Sequence, residues 1–255
     1  MKIISFTNHK GGVGKTTSTL NVGYALTGRG HKVLLIDGDA QCNLTMCFDE
    51  QSASGHYIGS LLEGRSSFDT TIVPVAPNLE LLPASPQLGY VEKVLGAQQG
   101  YEFLLQEALE PIAERYDYCL IDTPPSLSAM TYMVLVASDA IFIPAQPEYF
   151  SFEGLQTILE ACARVRKRNN PGLRVGGIFF TKYSKTYRRK LHHDIVEATT
   201  ERFATEQLVM HTSIRDNVSL AEAQIQRQNL YEYAPTSNGA QDYQVLTDEI
   251  LTRIS

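Results

Sequence analysis

The chain has 255 residues, of which 43% are hydrophobic and 20% charged, and its net charge is −6. This balance is typical of one soluble globular domain, and the acidic net charge argues against wholesale binding to nucleic acid, although not against a local basic patch. No run approaches the roughly 18 apolar residues of a membrane helix, and the first residues turn polar too soon for a signal peptide. We therefore predict a single cytoplasmic domain over residues 1–255.

Four cysteines are spread along the chain, and none of them forms a C-x-x-C pair: Cys42, Cys47, Cys119 and Cys162. Zinc and iron–sulfur sites usually need such paired ligands. The pattern therefore predicts reduced thiols in a reducing compartment rather than a metal centre.

Short apolar runs alternate with longer helical segments. Strands are predicted, in chain order, at KIISFTN, KVLLIDGD, LELLPA, YDYCLIDTPP, AIFIPAQP and VGGIFFTKY. A helix is predicted from about 15 to 26, where Gly28 and Gly30 end it, and others over 102–114, 152–167 and 191–203. This alternation predicts an α/β fold, with a doubly wound, mostly parallel sheet and helices on both faces. Ligands bind such sheets at the carboxyl ends of the strands.

A glycine-rich stretch, GGVGKTT, follows the first predicted strand and opens the first predicted helix. The strict phosphate-loop pattern G-x-x-x-x-G-K-[ST] fails here, because His9 stands where the first glycine is expected. The remaining glycines still allow backbone N–H groups to surround phosphate oxygens at a helix N-terminus. The predicted nucleotide site comprises Gly11, Gly12, Val13, Gly14, Lys15, Thr16 and Thr17.

The side chains at the end of this loop have distinct predicted tasks. Lys15 is predicted to reach the β and γ phosphates, the Thr16 hydroxyl to ligate Mg²⁺, and Thr17 to hydrogen-bond the α-phosphate. Aspartates follow two strands, Asp37 and Asp39 after the second and Asp122 after the fourth. One such aspartate is as often a turn cap as a metal partner, but three beside a phosphate loop favour a metal–nucleotide site.

At these residues the sequence resembles the ParA family of partitioning ATPases, in the MinD/ParA branch of phosphate-loop proteins and of the short Soj-like type. The matching motifs are KGGVGKTT, LLIDGDAQCN, YDYCLIDTPPSLS, ASDAIFIPAQPEYFSFEGL, NVSLAEA and YAPTSNGAQDY. The resemblance implies ATP and Mg²⁺ as cofactors, a phosphate-loop fold and slow ATP hydrolysis. It also implies a homodimer in the ATP state.

By this resemblance, Lys10 is the lysine of a deviant phosphate loop that reaches the nucleotide of the other subunit. Lys10, Lys15 and Asp39 are then the catalytic residues, with Asp39 positioning the attacking water. Thr16, Asp37 and Asp122 surround the metal. Adenine is expected beside residues 181–183 and 214–217, where the candidate contacts are Thr181, Ile214 and Asn217, although RDNV departs from the family's usual P-R-N-V.

Basic residues are concentrated in TKYSKTYRRKLHHD. The predicted DNA-phosphate contacts are Lys182, Lys185, Arg188, Arg189, Lys190 and Arg215, the first five interleaved with tyrosines. A solvated charged face is the alternative interpretation, and for the basic run at 164–168, at the end of a predicted helix, it is the favoured one. His192 and His193 are predicted to be surface residues, and Tyr149, Phe150 and Phe152 to pack at a junction or dimer interface rather than to form a recognition surface.

Three functions remain open from the sequence. The first is a DNA-segregation or cargo-positioning ATPase, nucleoid-associated, whose ATP dimer binds DNA nonspecifically until a separately encoded ParB-like or adaptor protein stimulates hydrolysis. The second is a MinD-like membrane-associated ATPase, but the C-terminal YQVLTDEILTRIS carries a single basic residue, Arg253, where a basic amphipathic face would be needed. An iron–sulfur carrier ranks last, because the cysteines offer no paired ligands.

Overall fold

The computed structural model describes residues 1–48, 55–148 and 151–255. Its described residues form a seven-stranded sheet. The strands are β1 Lys2–Phe6, β2 Val33–Asp37, β3 Val73–Ala76, β4 Leu79–Leu82, β5 Tyr118–Asp122, β6 Ala140–Ala145 and β7 Arg174–Phe180.

The strand order is β3-β4-β2-β5-β1-β6-β7, and every described pairing except β3 with β4 is parallel. Because β1 pairs with β5 on one side and β6 on the other, the chain reverses its direction of winding at β1. The doubly wound, mostly parallel sheet predicted from the sequence is therefore confirmed. The carboxyl ends of β1, β2 and β5 meet at one edge, where Phe6, Asp37 and Asp122 are in register.

The strand β3 was not predicted from the sequence. It is an edge strand that pairs antiparallel with β4, with a register shift between Pro74 and Ala76. Proline cannot donate a ladder hydrogen bond, so VPVAP does not suggest a strand. At a sheet edge the lost donor is tolerated, and Asn78, with φ of 59°, makes the turn into β4.

The helices lie in the predicted gaps between strands. They are α1 Lys15–Thr27, α2 Ile58–Leu62, α3 Phe68–Thr71, α4 Leu88–Leu95, α5 Leu104–Leu109, α6 Ala129–Ala137, α7 Ser151–Arg168, α8 Lys190–Arg202, α9 Val218–Ile225, α10 Leu230–Tyr233 and α11 Asn238–Ile254. The helix predicted over 102–114 is wrong as a continuous element. It consists of α5 flanked by 3₁₀ turns at Tyr101–Phe103 and Glu110–Ile112, the second of which contains proline.

Apolar side chains cover both faces of the sheet. On one face α1 and α11 pack against the strands, with Leu26, Tyr243 and Leu246 fully or almost fully buried. On the other face α4, α5 and α6 contribute a second cluster. The strands β2 and β6 are buried along their whole length, as expected for parallel strands between two helical layers.

The C-terminal helix α11 packs its apolar face into this core. Tyr243, Leu246 and Ile250 are each no more than 1% exposed, and Arg29 ties the helix to the end of α1 through an ion pair with Asp248. Among the helices of the described residues, none combines the length and the hydrophobicity of a membrane span.

Candidate nucleotide-binding site

The loop between β1 and α1 has the backbone of an anion site. Gly12 and Gly14 have φ of 72° and 97°, in the left-handed region that favours glycine. A Cβ on Gly14 would also lie 3.3 Å from the Thr181 methyl carbon. Gly14 precedes α1, whose first turn has neither a side-chain cap nor an acidic residue. The first N–H groups of α1 are therefore available to an anion, as a phosphate site requires.

A cavity of about 570 Å³ lies over this loop. It is lined by sequence-predicted residues: Gly11, Gly12, Val13, Gly14, Lys15, Thr16, Thr17, Asp39, Thr181, Ile214 and Asn217. It is also lined by residues that were not named as contacts from the sequence, all but Gln224 of which lie within the matching motifs: Asn43, Pro125, Gln146, Leu220, Ala221, Gln224 and Tyr243. Its size suits a nucleotide-sized ligand, with glycine amides and Lys15 at one end and the 214–224 segment at the other.

Lys15 is 7% exposed, and its Nζ donates a hydrogen bond to the Lys10 carbonyl, 3.1 Å away. Burial lowers the pKa of Lys15, while the charges of Asp122 and Asp39 act in the opposite direction. A buried cation beside glycine amides is a strong attractor for phosphate, because little water screens it. Lys15 thus lies beside the glycine loop, and its contact with phosphate stays a prediction.

Asp122 and Thr16 form the candidate metal corner. The Thr16 hydroxyl donates to Asp122 Oδ2 at 2.6 Å, while Asp122 Oδ1 is buried without a hydrogen-bond partner. Burial, with the neighbouring charge of Asp37 second, raises the pKa of Asp122 to about 8. An orphaned buried carboxylate oxygen beside a hydroxyl fits a hydrated Mg²⁺ whose other ligands are phosphates. Within the described ranges no cluster of three or more acidic, histidine or cysteine side chains could hold a metal ion, so most ligands would come from the nucleotide and water.

Asp37, the other predicted metal residue, already has three hydrogen-bond donors. Its Oδ1 accepts from the Asp39 amide at 3.1 Å, and its Oδ2 accepts from the amide and hydroxyl of Thr45 at 2.8 and 2.7 Å. Burial raises its pKa to about 6 despite these bonds. Asp37 thus anchors the loop that carries Asp39, and its contribution to a metal would be through charge or bridging water. Thr45 was not identified from the sequence.

Asp39 is 8% exposed and lines the cavity. Its Oδ1 accepts from the Gln41 amide at 2.9 Å, and the loop continues through Cys42, whose φ of 57° is unusual for a residue other than glycine. The carboxylate therefore projects from a tightly turned loop whose far end is tied to Asp37. This placement is compatible with a water-positioning role beyond the terminal phosphate.

Lys10 is not among the described residues that line the cavity. Its Nζ forms an ion pair with Glu148, in the loop after β6, and its amide donates to Asn8 Oδ1 at 3.1 Å. A second side chain of the same loop, Gln146, donates to the Gly12 carbonyl at 2.7 Å. The loop after β6 therefore supports the phosphate loop from outside, and Lys10 lies on that outer side.

The far wall of the cavity is the segment 214–217. Ile214 extends the sheet by bridging to Thr181, whose hydroxyl donates to the Val13 carbonyl at 2.8 Å. Asn217 caps α9 by accepting from the Ser219 amide. Arg215, predicted from the sequence to bind DNA, makes a two-pronged ion pair with Asp242 of α11 and lines this cavity. The Arg215 guanidinium therefore already has hydrogen-bond acceptors in the cavity wall, because the Asp242 carboxylate on a distant helix binds it.

The other predicted DNA-binding residues are exposed in the loop 182–190, the basic loop: Lys182, Lys185, Arg188, Arg189 and Lys190. Lys182 also lines the cavity. The predicted surface position of the two histidines is wrong. His192 and His193 are partly buried, and His193 bridges the Tyr183 hydroxyl, at 3.0 Å, and the Tyr187 carbonyl, at 2.6 Å.

Two other segments were interpreted from the sequence, the basic run at 164–168 and the aromatic residues at 149–152. The basic residues at 164–168 are exposed over the last turns of α7, as a solvated helix end should be. Tyr149 and Phe150 lie outside the described residues, as does the side chain of Phe152, so their predicted packing stays a prediction.

Comparison with known proteins agrees with this geometry. The family described as "AAA domain" matches residues 1–175. The chain is 38% identical over 254 residues to the chromosome-partitioning ATPase Soj of Treponema pallidum, covering 99% of this chain and 98% of that protein. It belongs to the ParA/Soj family of ATPases. The chromosome partitioning protein ParA of Caulobacter vibrioides is 33% identical over 257 residues, covering 99% and 95% of the two chains.

A solved structure carries the same fold with ligands bound. The cobyrinic acid a,c-diamide synthase from Mycobacterium smegmatis, bound to ADP and magnesium, has a TM-score of 0.82 and 28% identity, and covers 97% of this chain and 93% of its own. The resemblance stated from the motifs and the phosphate-loop fold are both confirmed by these matches. The ParA/Soj assignment makes the chain an ATPase of the partitioning class.

The buried aspartate at the metal corner gives a stability prediction. Because the folded state raises the pKa of Asp122, ionisation of this carboxyl costs stability. The cost starts above the unfolded value of about 4 and is complete above about 8, so this contribution to stability is lost as pH rises through that window. Asp122→Asn should therefore raise the melting temperature of the ligand-free protein at pH 8 by several degrees, and less at pH 5.

The same variant should lose the response to magnesium. Differential scanning fluorimetry with and without Mg-ATP, at pH 5 and pH 8, measures both effects. Asp69→Asn, at an exposed acid on α3, is the matched control and should change neither. A ligand-free Asp122→Asn protein that melts lower than wild type at pH 8 would contradict this interpretation.

Proposed function

We propose that the chain is an ATP-driven DNA-segregation or cargo-positioning switch. In this proposal two subunits face each other across two bound Mg-ATP molecules, and the dimer binds DNA nonspecifically. A separately encoded ParB-like or adaptor protein stimulates hydrolysis and ends the bound state. The observation that carries the proposal is the pairing of a phosphate cavity with Lys10, a lysine of the same loop that lies outside that cavity.

The chemistry of the site is in-line attack of water on the γ-phosphate. Glycine amides and Lys15 hold the phosphate oxygens, and Thr16 with Asp122 holds Mg²⁺, which offsets the charge on the phosphates. Asp39 orients the water from its tied loop. Lys10 of the facing subunit adds a second cation at the γ-phosphate, which stabilises the transition state and makes dimerisation depend on ATP.

The basic loop supplies the candidate DNA contact. It places five exposed cations on one short segment of an acidic protein. Such a cluster neutralises phosphates and releases counterions, which gives binding without base recognition. Arg215 is the least suited of the predicted contacts, because Asp242 already binds its guanidinium.

The salt dependence of binding tests this surface. Lys185→Ala and Arg188→Ala should each weaken binding to random-sequence duplex DNA by a similar factor for all sequences, and should each lower the slope of log affinity against log salt by about 1. Fluorescence anisotropy over a salt series measures both quantities. Lys93→Ala, at an exposed lysine on α4, is the control. Unchanged slopes in both loop variants would remove the basic loop from the DNA surface.

The membrane-associated alternative has less support. Its amphipathic anchor would be the C-terminal helix, but the apolar face of α11 is buried against α1 and the sheet. The acids Asp248 and Glu249 on that helix pair with Arg29 and Arg253. A helix packed and paired in this way has neither a free apolar face to insert into a membrane nor a basic face to bind anionic lipid.

One experiment separates the two functions. Binding to random-sequence duplex DNA and to anionic liposomes is measured with Mg-ATP, Mg-ADP and no nucleotide. We expect salt-sensitive DNA binding in ATP and no liposome binding in any state. ATP-dependent liposome binding without DNA binding would overturn the proposal and favour the membrane-associated alternative.

A further inference from the structure

A side-chain hydrogen bond links the middle of the basic loop to the segment 214–217, which lines the nucleotide cavity. The Asp216 amide donates to the Tyr187 hydroxyl at 3.1 Å. Asp216 belongs to the segment 214–217 that lines the cavity, and Tyr187 lies in the middle of the basic loop. The two segments are 29 residues apart in the sequence, so this contact arises only in the folded protein.

The cavity side of this link is held at both ends. Ile214 is fixed to the end of β7 by its amide, which donates to the Phe180 carbonyl at 2.8 Å. Arg215 is clamped to Asp242, and Asn217 caps α9. The Asp216 amide thus lies on a short strap between three fixed points. Because the strap has little slack, a ligand contact anywhere along it acts directly on this amide.

The loop side has its own fixed points. The Tyr183 amide donates to the Ile214 carbonyl at 3.1 Å, and Tyr183 is buried with its hydroxyl on His193. The Tyr187 carbonyl accepts from the other nitrogen of His193. The guanidinium of Arg189 lies 6.0 Å from the centre of the Tyr187 ring. Tyr187 thus contacts the exposed cation of Arg189 through its ring and the cavity wall at Asp216 through its hydroxyl.

From this arrangement we propose that Tyr187 is a positioning residue that couples the nucleotide to the basic loop. A nucleotide that favours one placement of the strap 214–217 also favours one placement of Tyr187, and with it of the cations beside it. Coupling of this kind is a difference in affinity between two states, and it is reciprocal: ATP strengthens DNA binding by the same factor as DNA strengthens ATP binding. The inference rests on the proposed function for its DNA part only.

The test removes the hydroxyl and keeps the ring. In Tyr187→Phe the ring stays beside Arg189, whereas the bond to the Asp216 amide is lost. We expect the ratio of DNA affinities in Mg-ATP and Mg-ADP to fall about fivefold, and the effect of DNA on ATP affinity to fall equally. The salt slope of DNA binding, the ATP-induced dimer and the basal ATPase rate should match wild type, because no DNA-contacting cation is removed. Tyr90→Phe, on the exposed surface of α4, is the matched control.

A second readout does not depend on DNA. Hydrogen exchange of peptides covering 183–189 should slow when wild-type protein binds Mg-ATP, and this effect should be much smaller in Tyr187→Phe. A wild type that binds DNA equally in all nucleotide states would overturn the proposed function, while exchange would still decide the role of Tyr187. An affinity ratio and exchange response in Tyr187→Phe equal to those of wild type would overturn the inference and leave the proposed function intact.

Discussion

Replacement of Asp39 by alanine is expected to lower ATP turnover by about 10²-fold or more while leaving ATP binding and the ATP-induced dimer in place. The carboxylate lines the cavity but lies on the loop after β2, whereas the phosphate contacts come from the loop after β1. Its loss therefore removes the group that orients water without removing the groups that hold the nucleotide. Single-turnover hydrolysis, with ATP affinity measured separately, gives the two quantities.

A conservative variant separates charge from loop structure. Asp39→Asn keeps an oxygen that can accept from the Gln41 amide, so the loop should keep its turn while turnover is still lost. Asp69→Ala, at an exposed acid paired with Arg115, should behave as wild type. Normal turnover in either Asp39 variant would show that another group positions the water.

The second large effect is expected at Lys10. Lys10→Ala should abolish the ATP-dependent dimer and reduce hydrolysis by a factor similar to that of an arginine finger, about 10³ or more. The folded monomer should be unaffected, because the ion pair between Lys10 and Glu148 is partly exposed and such pairs contribute little stability. Gel filtration in Mg-ATP measures the dimer, and thermal melting of the ligand-free protein measures the stability of the monomer.

Lys93→Ala on α4 is the control for the loss of a lysine. It should dimerise and hydrolyse ATP as wild type does. An unchanged dimer with full hydrolysis in Lys10→Ala would place Lys10 among the solvated loop lysines and remove the link between ATP and dimerisation.

The sequence predicted the parts of the site that depend on local structure. The phosphate loop follows from glycines between a strand and a helix, and the aspartates follow from the ends of buried strands. Parallel strands bring such ends together, so the sequence alone predicts Asp37 and Asp122 at one edge, where the structure has them. The orphaned oxygen of Asp122 and its bond to Thr16 agree with that prediction.

The parts that were missed depend on contacts between distant segments. Thr45 binds Asp37 from a short 3₁₀ helix, Thr45–Cys47, that the sequence pattern did not predict, and Glu148 pairs with Lys10 across 138 residues of sequence. Arg215 was assigned to DNA because charge alone does not reveal a partner, and Asp242 on α11 is that partner. Tyr243 of the same helix reaches the cavity wall, although the motif YAPTSNGAQDY that contains it gave no indication of a nucleotide contact.

Mixed dimers test most directly whether each nucleotide site is completed by the facing subunit. Lys10→Ala and Asp39→Ala proteins are each expected to be inactive alone. When they are mixed in equal amounts, a mixed dimer has one site with its own Asp39 and with Lys10 from the other subunit, so the mixture should recover ATPase activity, to at most about a quarter of the wild-type rate, the value for random pairing. If Lys10 serves its own subunit, no site in any dimer holds both residues, and a mixture as inactive as its components would contradict the account.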